Sequence, residues 1–159
     1  MADAFNRLVG SLDYPMLIVT AAAEGERSGC LVGFHTQTSI DPSRFAVCIS
    51  RANHTYGVAC AASVLGVHVV PAGAMDLAEL FGGETDDSLD KFARVDWHDG
   101  PEGVPVLEDC PDWFAGRILD RFDTGDHVTF LLDPLDGEHG GGGWLSFQEA
   151  KRIAPGHDA

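Results

Sequence analysis

Basic side chains are scarce in this sequence. The 10 lysines and arginines stand against 25 aspartates and glutamates, a formal charge of −15. Such a charge repels both a phosphate backbone and an anionic membrane surface, so neither nucleic acid nor membrane is an expected partner. Long apolar runs are also missing. The stretch from Ala59 to Val70 is interrupted by Ser63, Gly66 and His68, and nothing approaches the ~18 residues of a spanning helix. The start, Met1-Ala2-Asp3-Ala4-Phe5-Asn6-Arg7, has no basic segment leading into an apolar core and a small-residue cleavage site, and a cytoplasmic location is expected. Cysteine is sparse: Cys30, Cys48, Cys60 and Cys110 form no Cys-x-x-Cys pair and no zinc-finger-like spacing, which favours reduced, partly buried thiols over ligands. His35, His54, His68, His98, His139 and His157 show no ligand spacing either, so no metal is expected. There is no Gly-x-Ser-x-Gly elbow, His-Glu-x-x-His, Gly-x-Gly-x-x-Gly or phosphate-loop lysine, which leaves protein-based covalent or zinc chemistry little support.

What is present fits one globular domain. The 159 residues are 45% hydrophobic and 22% charged, enough for a single sizeable core. The core is expected over about 5–133, with 134–159 forming a Gly-rich turn and a C-terminal tail. An amphipathic opening, Phe5 to Leu12, precedes a strand at Leu17 to Thr20, and Ala22 to Ser28 reads as a turn. Gly29 to Thr36 and Phe45 to Ser50 read as strands around a Pro42 loop, and Asn53 reads as the cap of a helix to Ala62. Val64 to Val70 returns to strand, and Ala74 to Phe81 has helical spacing, with a further short helix at Asp87 to Phe92. Trp97 to Trp113, rich in proline and glycine, reads as an irregular excursion with one short strand at Val106-Leu107. Ala115 to Phe122 and His127 to Leu132 form a late hairpin, and the tail from Trp144 adds at most a strand or short helix. The expected class is mainly β with short helices, antiparallel, in a closed or nearly closed barrel.

Three clusters carry polar chemistry. The first, Gly29 to Pro42, passes from strand to polar turn. It supplies the backbone groups, hydroxyls and flat apolar wall that a flavin requires; any edge strand before a Ser-x-Asp-Pro turn has the same pattern. The second is Arg51-Ala52-Asn53-His54-Thr55, where a helix start can hold a phosphate monoester or be a capped helix and no more. Lys91, Arg94 and Arg51 are charge partners to choose among. The third, Gly125-Asp126-His127, puts an imidazole after a tight turn, where it can meet a second ligand or face solvent.

In this order and spacing, together with Tyr14-Pro15, Leu77-Ala78-Glu79-Leu80-Phe81 and Lys91-Phe92, the clusters resemble the flavin reductase-like family of FMN-binding split barrels over roughly Phe5 to Leu132. The resemblance implies a Greek-key-like split β-barrel working as a homodimer on FMN, or FAD, with NADH or NADPH as co-substrate. It implies an NAD(P)H:flavin oxidoreductase supplying reduced flavin to an oxygenase; a non-enzymatic flavin carrier, or a barrel using a deazaflavin or haem, are the alternatives. By resemblance, the backbone of Val32, Gly33, Phe34 and His35 faces the flavin ring, Gln37 and Ser39 line the ribityl and phosphate side, and Asn53, His54 and Thr55 sit by the phosphate; Lys91 is a further expected cofactor-binding residue. His127 is implied to position the nicotinamide. The sequence departs from the common pattern at Leu31, Gly33 and His35, where Thr, Ser and Phe are usual.

Overall fold

The computed structural model describes residues 2–83 and 90–153. Helix α1 (Ala2–Ser11) leads into a hairpin of β1 (Leu17–Ala23) and β2 (Glu26–Val32). The expected turn over Ala22 to Ser28 shrinks to Glu24 and Gly25, whose φ values of 54° and 79° suit a two-residue primed turn. Alanine is a weak strand former, yet Ala21, Ala22 and Ala23 pair with Ser28, Arg27 and Glu26; pairing overrides propensity here.

The expected strand from Gly29 to Thr36 is also two elements, because β2 stops at Val32 and β3 (His35–Ser39) begins after Gly33 and Phe34. Then come β4 (Arg44–Ser50), α2 (His54–Ala61), β5 (Val64–Val69) and α3 (Met75–Gly83). Of the short helix expected at Asp87 to Phe92, residues 87–89 lie outside the described residues, and Lys91–Arg94 form a 3-10 turn capped by Asp90. The expected excursion is more ordered than its composition suggests: β6 (Trp97–Asp99) and β7 (Pro105–Leu107) make a two-stranded ribbon. Val104, Val106 and Leu107 are buried, and the Thr20 hydroxyl donates to the Pro105 carbonyl at 2.6 Å. Tertiary burial thus recruits a segment of poor local propensity. The late hairpin, β8 (Asp112–Asp123) and β9 (His127–His139), runs further than expected at its far end, and a single turn, α4 (Phe147–Ala150), closes the described chain.

Seven strands form one sheet in the order β2-β1-β5-β8-β9-β4-β3, every adjacent pair antiparallel. The two ends of that order, β2 and β3, are separated in the chain only by Gly33 and Phe34. A sheet whose outermost strands are joined by two residues must curl until its edges meet. The result is a barrel, with a split where β2 and the β3-β4 edge come together without laddering. Leu17, Val19, Cys30, Val47, Ile49, Leu65, Val67, Phe130 and Leu132 converge from around the sheet into its interior.

A second cluster, including Met16, Ile18, Phe81, Phe92, Leu107, Leu145 and Ala150, packs on the barrel exterior. It ties α3, the ribbon and α4 to the barrel, so packed structure extends past residue 133. No helix among the described residues is long and apolar enough to cross a membrane.

Candidate functional site

The split is where the barrel leaves a cleft of about 240 Å³. Cys30, Leu31 and Val32 of β2, the Gly33-Phe34 bend, Cys48, Ile49 and Ser50 of β4, Asn53 before α2, and His127 at the start of β9 line it. Met16, Gly82, Phe147, Ala150 and Ile153 add an apolar wall from the outer layer. Strand pairing brings the late hairpin into the site: Ser50 lies opposite His127 in the β4-β9 ladder.

Of the expected residues, Val32, Gly33, Phe34, Asn53 and His127 meet in this cleft. Asn53 caps α2, its Oδ1 accepting the Thr55 amide at 2.9 Å. His127 Nδ1 is 2.7 Å from Asp126 Oδ1, and the hydrogen bond to His127 holds the Asp126 carboxyl below the usual carboxylate range. The Phe34 ring stands 5.0 Å from that of His127.

The remaining expected contacts lie elsewhere. His35 turns inward, its Nε2 2.7 Å from the Pro15 carbonyl and its ring stacked on Phe45; burial lowers its pKa, leaving a neutral packing residue. Gln37 and Ser39 lie on the outermost strand, where the Gln37 side-chain amide donates to the Ser39 carbonyl at 3.2 Å. Thr55 is fully buried, its hydroxyl 2.7 Å from that of Ser28. His54 pairs with Glu26. Lys91 donates to the Phe81 carbonyl at 3.3 Å and lies 5.6 Å from the centre of the Phe81 ring, while Arg51 pairs with Asp123. Apart from Gln37, whose bond is local to β3, these side chains tie separate elements together.

Sequence reasoning missed Cys30, Cys48 and Ser50, and the apolar wall from Met16, Phe147 and Ile153. Strand alternation puts Cys48 and Ser50 on one face, a signal that would have found them. No local signal marks the tail residues, which arrive by packing. Burial pushes the Cys30 thiol up to about 11, so it lines the cleft as a neutral thiol and not as a nucleophile.

The cleft suits a flat, largely apolar ring with polar edges. Leu31, Val32, Ile49 and Phe147 supply walls, and Ser50, Asn53 and His127 the polar groups. Its volume is below the ~300–1,000 Å³ of most small-molecule pockets, so a ligand larger than one ring system extends over the mouth.

Fold and cleft together define a split β-barrel with a cleft in the split. Residues 9–150 match the flavin reductase like domain, and the chain belongs to that family. It is 33% identical over 110 residues to the FMN reductase (NADH) RutF of Bradyrhizobium diazoefficiens, covering 69% of this chain and 61% of that protein. It is 26% identical over 129 residues to the stachydrine N-demethylase reductase subunit Stc3 of Rhizobium meliloti, covering 80% and 55%. The NADH:FAD oxidoreductase SgcE6 of Streptomyces globisporus superposes with a TM-score of 0.83 at 22% identity, covering 92% of this chain and 87% of that one; at that identity the likeness concerns the fold. The chain spans 40 to 61% of the length of the first three curated relatives it matches.

Proposed function

We propose that this protein is an NAD(P)H-dependent flavin reductase acting on FMN or FAD. The observation that carries the reading is the convergence of the Val32–Phe34 bend, Asn53 and His127 on one apolar cleft, within a chain of the flavin reductase like family. The Val32–Phe34 bend and Asn53 would hold a flavin, which when bound would supply the hydride-accepting redox chemistry. The protein's part is alignment and exclusion of water. The apolar walls hold the ring, Asn53 and the start of α2 favour an anionic group, and His127, steadied by Asp126, positions the second ligand.

We also propose that the working form is a homodimer in the cytoplasm that hands reduced flavin to an oxygenase. The small cleft needs a cover. Helix α1 and Leu12 just after it expose Phe5, Leu8, Val9 and Leu12 at i, i+3, i+4 and i+7, an apolar stripe suited to a second subunit. Kinship with a demethylase reductase subunit supports the oxygenase partner.

Oxidation of NADH or NADPH with added FMN or FAD tests the activity, and a rate above the protein-free blank is expected. A rate equal to the blank overturns it; flavin retained through a desalting column in that case identifies a carrier instead. Sedimentation as a 17.0 kDa species would overturn the dimer.

A further inference from the structure

We propose that the side chain of Phe34 is the surface on which the nicotinamide ring packs, which makes Phe34 a specificity determinant for the second ligand. The proposal rests on the reductase reading above and assigns the nicotinamide a protein contact besides His127.

Phe34 is a large apolar side chain, 54% exposed, at the lip of an apolar cleft, where it can meet a ligand that extends over the mouth. Its backbone is pinned, because its carbonyl accepts the Cys48 amide at 2.9 Å. The bond fixes the point from which the side chain projects, at the lip of the cleft.

Its neighbour is the His127 imidazole, 5.0 Å away and tilted by 54°. Asp126 holds that imidazole through Nδ1. The β2-β3 bend and the start of β9 thus present two rings as one aromatic surface at the mouth. A cleft of about 240 Å³ takes one planar ring system, so a second ring stacked on the first lies at the mouth, beside Phe34.

The chemistry distinguishes the two redox forms of the dinucleotide. Reduced nicotinamide is neutral and gains only aromatic stacking from Phe34. Oxidised nicotinamide is a cation and gains a cation–π attraction as well. Phe34 should therefore hold the oxidised product more strongly than the reduced substrate.

The test compares the wild type with Phe34→Ala, Phe34→Leu and Phe34→Tyr in steady-state nicotinamide oxidation, with NAD⁺ or NADP⁺ as product inhibitor and flavin affinity followed by fluorescence. For Phe34→Ala, KM for the reduced dinucleotide should rise about fivefold and the product inhibition constant about tenfold or more, with flavin Kd within about twofold. Phe34→Tyr should restore both constants, and Phe34→Leu, similar in bulk but not aromatic, should not. Constants within twofold of wild type in Phe34→Ala, or a flavin Kd that rises in the same proportion, would overturn the proposal. Rescue by Phe34→Leu would also overturn it, because bulk alone would then suffice. A wild-type protein that oxidises neither dinucleotide would overturn the reductase reading, and this proposal with it.

Discussion

The buried imidazole of His68 links β5 to two neighbours: Nε2 accepts the Leu107 amide at 3.0 Å, and Nδ1 donates to the Ile18 carbonyl at 3.0 Å. Because the Leu107 amide can only donate, the proton sits on Nδ1, and the ring is useful to the fold only while neutral. Burial lowers its pKa from 6.5 to about 4.

Stability should consequently fall in mild acid. Between pH 6.5 and about 4 the unfolded chain takes up a proton that the folded chain refuses. The stabilisation is full above pH 6.5 and is lost as pH falls toward 4, by about 3 kcal/mol in total. Burial lowers the pKa of His35 too, which acts in the same direction. Urea unfolding at pH 7.5 and 4.5 measures the loss, and His68→Asn should flatten it. Equal stability at both values would contradict the assignment.

Gly66 should not tolerate a side chain. A methyl group there would overlap Thr20 Oγ1 and stand 3.2 Å from the Pro105 carbonyl oxygen, the two atoms of a buried hydrogen bond. Gly66→Ala is expected to cost about 1–3 kcal/mol through overpacking, and to lower Tm by several degrees. An unchanged Tm would mean that the β6-β7 ribbon docks less closely than described.

The thiols report on the cleft. Burial pushes Cys30 up to about 11 and Cys110 up to about 12, so both should resist a maleimide at neutral pH. Cys48 and Cys60 are partly exposed, and only Cys48 of these two lines the cleft. Mass spectrometry after brief labelling should find adducts on Cys48 and Cys60, with FMN protecting Cys48 alone. Labelling of Cys48 at the same rate with saturating FMN would place the flavin elsewhere.

His127→Ala should separate the two ligands. The imidazole lies at the mouth with Phe34, so its loss should raise KM for the dinucleotide about tenfold, in line with ~1–2 kcal/mol for a polar contact, with little change in flavin affinity. A parallel loss of both affinities would assign His127 to the flavin or to the fold.

Much of this architecture is legible in the residues. The apolar, valine- and isoleucine-bearing runs at Leu17–Val19 and Val64–Val67 are strands, Asn53 caps a helix, and Asp123 to Asp126 connects a hairpin, because each rests on a preference of the local backbone. The site was legible only in part. Val32 to Phe34, Asn53 and His127 reach the cleft, whereas Thr55, expected beside the phosphate, turns its hydroxyl to Ser28. Nothing in the order of residues says whether a hydroxyl faces a ligand or a neighbour.

The sequence alone therefore determined the kind of protein this is: an acidic, strand-rich domain with glycine, polar turns and a capped helix spaced as in flavin-binding split barrels. The tertiary structure decided which side chains are available to a ligand. It joined the two sheet edges through Gly33 and Phe34, set Ser50 opposite His127, and brought Phe147 and Ile153 from the tail to wall the cleft. Local preference acts over a few neighbouring residues, but a cleft is made by groups far apart in the chain, and only packing of the whole barrel selects which of them meet.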